Sequence, residues 1–126
     1  MALIPYNPLA GGLLTGKHDR ASAPTEGTRF TLGVASGLYQ ERYWHERAFD
    51  TVDALRAVAD EAGMSMTTMA LSWVLANPAV TAPIIGASRP EQLADSLAAL
   101  DAPMAPDLKA RLDELTAEWR RGDADR

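Results

Sequence analysis

Glycine and positively charged residues occur together at two places in this chain of 126 residues, and both places could bind an anion. At the first place Gly11, Gly12 and Gly16 lie within six residues, and Lys17 follows directly. Glycines so close together are unfavourable in a helix, so we predict a loop that approaches a ligand or adopts positive φ. Backbone N–H groups of such a loop can approach a phosphate, and Lys17 adds positive charge. An ordinary tight turn is the alternative.

The second place is the predicted start of a helix. Ser88 and Glu91 are three residues apart with Pro90 between them, which is the pattern of a capping box with proline in the first turn. A helix N-terminus attracts anions because its first N–H groups have no partner within the helix. Arg89 can pair with a phosphate through two parallel hydrogen bonds. Ser88 can cap the helix and contact a phosphate at once.

Each of these places follows a short apolar segment that we predict to be a β-strand. The first strand covers Leu3–Tyr6 and ends at Asn7-Pro8, and the second covers Val80–Ile85 and ends at Gly86. A long irregular loop is predicted after the first place, from His18 to about Gln40. Its end is tethered by three aromatic residues: Tyr39, Tyr43 and Trp44.

Four helices are predicted from apolar residues that recur at spacings of three and four. They are Asp50 to Ala62, with Asp50 or Thr51 as its cap, Ser65 to Ala76, Pro90 to Leu100 and Pro106 to Trp119. The charged tail from Arg120 to Arg126 is predicted to fray. The whole reads as a helix-rich α/β fold of the βα-βα type. Two parallel strands alone expose edges and faces, so we expect self-association, pairing with a missing half, or rearrangement into a helix-dominated compact form.

Composition excludes several classes of function. The net charge is −5, from 17 acidic and 12 basic residues, which argues against binding to nucleic acid or anionic membranes. The absence of cysteine excludes a disulfide, a thiolate nucleophile and a zinc–sulfur site. His18 and His45 are predicted to be exposed loop residues, and no metal site is expected. With no membrane-length apolar run and no signal peptide at the start, a cytoplasmic location is expected.

Taken together, two segments resemble the C-terminal part of an aldo-keto reductase. They are Tyr6–Lys17 and Pro83–Leu93, and the helical residues between them, Ala70–Leu75 with Asn77-Pro78, are similar to the same family. The resemblance covers nearly the whole chain and is weakest at residues 18–45 and after about residue 101. It implies a (β/α)8 TIM barrel. Residues 1–126 would then be a single partial domain with the seventh and eighth βα units and the C-terminal helix.

The resemblance also implies NADP(H) as the cofactor, bound without a Rossmann fold. It places Tyr6 against the nicotinamide face, Lys17 near the pyrophosphate and Arg29 as a clamp from the long loop. The adenosine end with its 2′-phosphate would be held after the second strand. The implied contacts are Tyr6, Asn7, Pro8, Leu9, Ala10, Gly11, Lys17, Arg29, Gly86, Ser88, Arg89, Gln92, Asp95 and Ser96. The family often has Glu-Asn where this chain has Asp95-Ser96, and Ser where it has Asn7.

Hydride transfer from NADPH to a carbonyl is the chemistry that the resemblance implies. The family's acid–base Tyr, its Lys and Asp partners and a further His lie on earlier strands, and none of their motifs occurs here. Tyr6 matches the stacking position, so no catalytic residue is predicted and the chain alone is predicted to be inactive. The chain could be a truncated product, a misassigned start or half of a split barrel. A non-catalytic nucleotide-binding or regulatory module and a small helical protein with a decayed site are the alternatives.

Overall fold

Helices make up most of the regular structure in the computed structural model, which describes residues 1–121. The five α-helices are α1 (Ser36–Tyr43), α2 (Glu46–Ala62), α3 (Met66–Leu75), α4 (Glu91–Ala98) and α5 (Pro106–Leu115). Two 3-10 helices cover Ala10–Thr15 and Ala117–Arg121. The predicted helix-rich character is confirmed. Of the tail predicted to fray, residues 122–126 lie outside the described residues, and the two before them end the second 3-10 helix.

The longest helix, α2, begins earlier than predicted. His45 is its N-cap, and the Nδ1 atom of its ring accepts a hydrogen bond of 3.2 Å from the N–H of Ala48. Glu46 in the first turn is favourable because the N-terminus of a helix carries partial positive charge. The prediction of Asp50 or Thr51 as the cap is therefore wrong. The helix ends at Gly63, which has a φ of +67°.

The hydrophobic core lies between α2, α3 and α5. Ser65 caps α3, because its Oγ accepts a hydrogen bond of 3.1 Å from the N–H of Thr68. Seven of the ten residues of α3 are apolar, and Met66, Met69 and Leu71 are buried. The 3-10 helix of the glycine-rich loop packs against α3 and α1, and its Leu13 belongs to the core. Buried core residues include Leu13, Phe30, Val52, Leu55, Val58, Met66, Met69 and Leu112.

The two predicted strands form one parallel bridge instead of regular strands. The bridge joins Tyr6 to Ile84. The N–H of Ile84 donates to the carbonyl of Pro5 at 2.8 Å, and the N–H of Thr81 donates to the carbonyl of Leu3 at 2.8 Å. No longer ladder forms within residues 1–121, so the strand predictions at Leu3–Tyr6 and Val80–Ile85 are wrong as to extent. The parallel arrangement is present, but two short segments lack the further neighbours that a sheet needs.

The long segment after the glycine-rich loop is not irregular throughout, because α1 lies within it. Aromatic rings pack it against the core. Phe30 is fully buried, and its ring centroid lies 4.9 Å from that of Trp44 and 5.0 Å from that of His18. The side-chain amide of Gln40 donates to the carbonyl of Phe30 at 2.6 Å. The predicted tethering of this segment by Tyr39, Tyr43 and Trp44 agrees with their packing against the core.

Ion pairs add a second attachment for the same segment. The Arg20 guanidinium donates to the carboxylates of Glu46, Asp50 and Asp53, at 2.9, 2.8 and 2.5 Å. The three acidic side chains recur at spacings of four and three on one face of α2. The start of the long segment is thereby held along the first half of α2.

Candidate functional site

The glycine-rich loop is held by hydrogen bonds within itself. Asn7 has a φ of +55°, and its side-chain oxygen accepts a hydrogen bond of 2.8 Å from the N–H of Gly11. The N–H of Gly12 donates to the carbonyl of Leu9 at 2.9 Å, and the N–H of Gly16 donates to that of Leu13 at 3.1 Å. These three amides are used inside the loop and do not form the predicted cradle for a phosphate. An anion bound here would be held by side chains.

Packing explains why glycine is needed at Gly11 and Gly16. Gly11 has a φ of +70°, and a Cβ atom there would lie 2.7 Å from Cδ1 of Tyr39. Gly16 has a φ of +73°, and a Cβ atom there would lie 3.1 Å from Nη1 of Arg56 and 3.2 Å from Cγ of Met66. Left-handed backbone and lack of space both favour glycine at these positions.

The bridge between Tyr6 and Ile84 brings the ends of the two extended segments to the same side of the molecule. The second predicted site begins two residues later, at Gly86. There the N–H and the Oγ of Ser88 both lie within hydrogen-bond distance of Oε1 of Gln92, at 2.8 and 3.1 Å. The predicted capping box between Ser88 and Glu91 is therefore wrong, because the partner of Ser88 is the side chain of Gln92, one position after Glu91.

The predicted contacts to adenine lie on α4 next to α3. The carbonyl of Asp95 accepts a hydrogen bond of 2.8 Å from Oγ1 of Thr68, so the backbone there joins the two helices. The Asp95 side chain is exposed, and Ser96 is half-buried. No described contact links Arg29, on the long segment, to this region.

Three basic side chains predicted to bind phosphates share one property. Lys17, Arg29 and Arg89 are exposed, and none of them makes a salt bridge or side-chain hydrogen bond within residues 1–121. Arg20 and Arg111, by contrast, are both paired with carboxylates. Positive charge is therefore available at each of the three places that the resemblance assigns to the cofactor.

A cavity of about 380 Å³ lies beside two of the predicted cofactor residues, Tyr6 and Asn7. Its other side is formed mainly by Tyr39, Arg42 and Tyr43 of α1. The aromatic pattern predicts Tyr39 and Tyr43 as tethers, and it does not single out Arg42 as part of a cavity wall. The signal was their spacing of three and four, which places all three on one face of a helix.

His18 is buried, so the prediction of an exposed loop residue is wrong. Its ring centroid lies 5.0 Å from that of Phe30 and 5.2 Å from that of Trp44, and neither ring nitrogen has a hydrogen-bond partner. Burial, and next the charge of Lys17, lower the pKa of His18 below its ordinary value. The uncharged ring therefore belongs to the packing of the long segment.

Neither a metal-ligand cluster nor a membrane-spanning helix occurs in residues 1–121. No group of three or more His, Asp or Glu residues is placed to hold a metal ion in this part of the chain. No helix among the same residues has both the length and the apolar character that crossing a membrane requires.

Comparison with known proteins gives a consistent result. The sequence model of the Aldo/keto reductase family matches residues 1–117. An aldo-keto reductase of Pseudocercospora fijiensis is 36% identical over 90% of this chain and 41% of its own length. A probable voltage-gated potassium channel subunit beta of Arabidopsis thaliana is 33% identical over 80% of this chain and 30% of its own length. The chain thus spans less than half the length of these relatives.

A solved structure shares the fold. The glycerol dehydrogenase of Gluconobacter oxydans superposes with a TM-score of 0.70 over 93% of this chain and 34% of its own, at 23% sequence identity. At that identity the match describes the fold of these residues and carries no statement about substrate.

Proposed function

The chain belongs to the aldo/keto reductase family, and from that premise we propose that it is the C-terminal cofactor-binding portion of an NADP-dependent aldo-keto reductase. Residues 1–126 would supply the seventh and eighth βα units of a (β/α)8 barrel and the helix that follows. The parallel bridge between Tyr6 and Ile84 supports this reading, because consecutive strands of such a barrel are parallel neighbours.

The single observation that carries the proposal is the set of unpaired cations. Lys17, Arg29 and Arg89 are exposed without a salt bridge in the described residues of a chain whose net charge is −5. An arginine that pairs with no carboxylate can bind a phosphate through two hydrogen bonds. The side chain of Tyr6 is 77% exposed and offers an aromatic face to the nicotinamide ring. These residues fit a dinucleotide with phosphates at both ends of its adenosine.

When bound, NADPH supplies the hydride that reduces a carbonyl carbon. This chain would bind and orient the cofactor: Tyr6 by stacking, Lys17 and Arg29 at the pyrophosphate, and Arg89 at the 2′-phosphate. Because the glycine amides are used within the loop, these side chains would do the binding. The acid–base Tyr with its Lys and Asp would come from the earlier part of the barrel. The chain alone therefore binds cofactor without reducing aldehydes.

Fluorescence titration with NADPH and NADH tests this proposal. We expect Arg89→Ala to weaken NADPH binding about ten- to a hundredfold, the range of a hydrogen bond to a charged group, and to leave NADH unchanged. Arg111→Ala is the control, because Arg111 on α5 is also an exposed arginine but pairs with Glu61 of α2 and is not assigned to the cofactor. Equal losses for both cofactors, or no NADPH binding by the wild-type chain, would contradict the assignment.

The absence of catalysis is measured as NADPH consumption with a reactive aldehyde. We expect the rate without protein, because general acid catalysis and positioning by the missing groups are both absent. A rate that rises in proportion to the amount of chain would overturn this part of the proposal.

A non-catalytic or regulatory nucleotide-binding module is the second candidate, and the similarity to a potassium channel subunit beta favours it. Both candidates bind NADPH. The nucleotide sequence upstream of the codon for Met1 separates them, because an in-frame set of Tyr, Lys and Asp motifs supports a reductase. Failure to bind any dinucleotide would instead support a helical protein with a decayed site.

We also propose a partner for the exposed extended segments. Leu3, Ile4 and Ile84 are each at least half exposed, and apolar strands of this kind are covered in a complete barrel. The chain would pair with the N-terminal portion of a barrel or self-associate, and light scattering measures which species forms. We also predict a cytoplasmic location, which cell fractionation would check.

A further inference from the structure

Arg56 lies on α2 and reaches the glycine-rich loop, although it is not among the proposed cofactor contacts. Its Nη2 donates a hydrogen bond of 2.8 Å to the carbonyl of Gly16, which is 40 residues away in sequence. Its Nη1 lies 3.1 Å from the position that a Cβ atom on Gly16 would take, so the guanidinium also packs on this residue. The Arg56 side chain is half-buried and makes no salt bridge within residues 1–121. Its partner is the peptide group between Gly16 and Lys17.

A guanidinium is well suited to fix a peptide group. It is planar, stays charged and presents its N–H groups in a rigid fork, so it sets an orientation as well as a distance. Its hydrogen bonds are stronger than those of a neutral donor. Gly16 ends the 3-10 helix with a φ of +73°, and its carbonyl belongs to the peptide group that leads into Lys17. The hydrogen bond from Arg56 therefore sets the direction in which the chain enters Lys17.

Contacts on the other side of Lys17 hold the following residues. His18 is buried among aromatic rings. Arg20 pairs with three carboxylates in the first half of α2. Residues 16–20 thus run along α2 in the direction opposite to the helix, because Gly16 contacts position 56 and Arg20 contacts earlier positions. The backbone of Lys17 lies between two points of attachment.

The side chain of Lys17 folds back over the glycine-rich loop. Its Cε and Nζ lie 3.9 and 4.0 Å from the position that a Cβ atom on Gly12 would take, where glycine carries only a hydrogen atom. The side chain is exposed, so the ammonium is accessible to an anion. The cation that is proposed to bind the pyrophosphate therefore has a defined position over Gly12.

We propose that Arg56 is a positioning residue for the cofactor site. By holding the carbonyl of Gly16, it keeps the ammonium of Lys17 over Gly12, where the ammonium can contact the pyrophosphate. Arg56 does not touch the cofactor and acts through Lys17. A lysine that is ordered in advance loses less conformational freedom when it binds a ligand, which favours binding. The effect on cofactor binding rests on the proposed function, but the position of Lys17 in the free chain does not.

NMR of the full chain without cofactor tests the position of Lys17 directly. We expect a nuclear Overhauser effect between the Cε protons of Lys17 and an α proton of Gly12 in the wild-type chain. The effect should be lost in Arg56→Met, which keeps an unbranched side chain but has no donor. It should remain in the control Arg111→Met, which loses the same charge on α5. Absence of the effect in the wild-type chain, or its persistence in Arg56→Met, overturns the proposal.

Titration with NADPH and NADH tests the consequence for binding. We expect Arg56→Met to weaken both cofactors alike, about two- to tenfold, because both contain the pyrophosphate and one hydrogen bond is lost. Arg89→Ala, by contrast, should affect NADPH alone. Arg56→Lys keeps a charged donor and should recover part of the loss, and Arg111→Met should bind as the wild-type chain does. A loss confined to NADPH, or no recovery in Arg56→Lys, would contradict the role of Arg56.

The variant Lys17→Ala separates positioning from general attraction between Arg56 and an anionic cofactor. If Arg56 acts through Lys17, Arg56→Met should weaken binding no further in a chain that already carries Lys17→Ala. A further loss of the same size would mean that Arg56 acts by its own charge and would overturn the proposal. If Arg56→Met does not fold, Arg56→Gln replaces it in both measurements, since it also removes the guanidinium. If the wild-type chain binds neither cofactor, the proposed function fails, and the NMR measurement still decides whether Arg56 positions Lys17.

Discussion

The helical core and the pair of extended segments differ sharply in how far their apolar side chains are buried and in where their backbone hydrogen bonds come from. Val58 and Leu71, on α2 and α3, are each 1% exposed, whereas Leu3 and Ile84 are 50% and 57% exposed. A helix forms its backbone hydrogen bonds internally and needs one other helix to bury its apolar side. An extended segment takes its backbone hydrogen bonds from neighbours on both sides. In this chain α2 and α3 are therefore buried by neighbours within residues 1–121, while the two extended segments have only each other.

The largest effect in the comparison is expected for Leu71→Ala. This side chain is 1% exposed, so its truncation leaves a cavity in the core and should lower the free energy of unfolding by about 2–5 kcal/mol. Leu75→Ala on the same helix is the control, because Leu75 is 36% exposed and should lose much less. Urea unfolding measures both. Equal losses would show that α3 is not packed as described.

A smaller effect is expected for Gly11→Ala, measured against Gly33→Ala. Both glycines have φ near +70°, so both variants carry the cost of left-handed backbone, about 1–2 kcal/mol. At Gly33 nothing lies within 4 Å of the new methyl group, but at Gly11 it meets the Tyr39 ring. Gly11→Ala should therefore lose a further 1–3 kcal/mol, approximately, from overpacking. Unfolding curves that coincide for the two variants would mean that Tyr39 moves away without cost.

Acidification should weaken the long segment through His18. Its pKa in the folded chain lies below the ordinary value of 6.5, so the unfolded chain binds a proton first as the pH falls. The contribution of the buried, uncharged His18 to the free energy of unfolding is therefore complete above pH 6.5. It is lost as the pH falls from there to the lowered pKa. In His18→Phe this loss should disappear, since histidine is the side chain that normally titrates between roughly pH 5 and 8. Thermal unfolding across that range measures both chains, and matching pH profiles would contradict the role of His18.

The smallest effect is expected for Ile84→Ala in the bridge. Its side chain is 57% exposed, so the free energy of unfolding should change by no more than about 0.5 kcal/mol. The same measurement also tests whether the extended segments are exposed in solution. A loss comparable to that of Leu71→Ala, and dependent on protein concentration, would mean that a second chain covers the extended segments in solution.

The helices could be predicted because their signals are local. Apolar spacing, a glycine at the end of α2 and Ser65 before α3 each act within a few residues. α3, α4 and α5 begin within one residue of their predicted starts, whereas α5 ends at Leu115 rather than at the predicted Trp119. The start of α2 differs from the prediction because a histidine acts as its cap, although asparagine, aspartate and serine are the usual choices. Pro106 begins α5, as its position in the sequence predicts.

The rest depends on contacts between distant residues, which spacing does not report. His18 is buried because the rings of Phe30 and Trp44, which are distant in sequence, pack against it. The extent of the strands depends on neighbours that residues 1–121 do not provide. In the candidate site, the residue types indicated anion binding, but only the structure shows that the amides of Gly11 and Gly12 are already used.

The contact between Gly11 and Tyr39 also constrains how this sequence can change over time. A methyl group at position 11 carries the strain of left-handed backbone in any case, and beside the Tyr39 ring it would also be too close to Cδ1. A lineage that replaces the glycine must first shrink the ring, and the smaller ring would widen the cavity beside Tyr6. The two positions are therefore expected to be inherited as a pair, and a change of ligand preference in this cavity would pass through both.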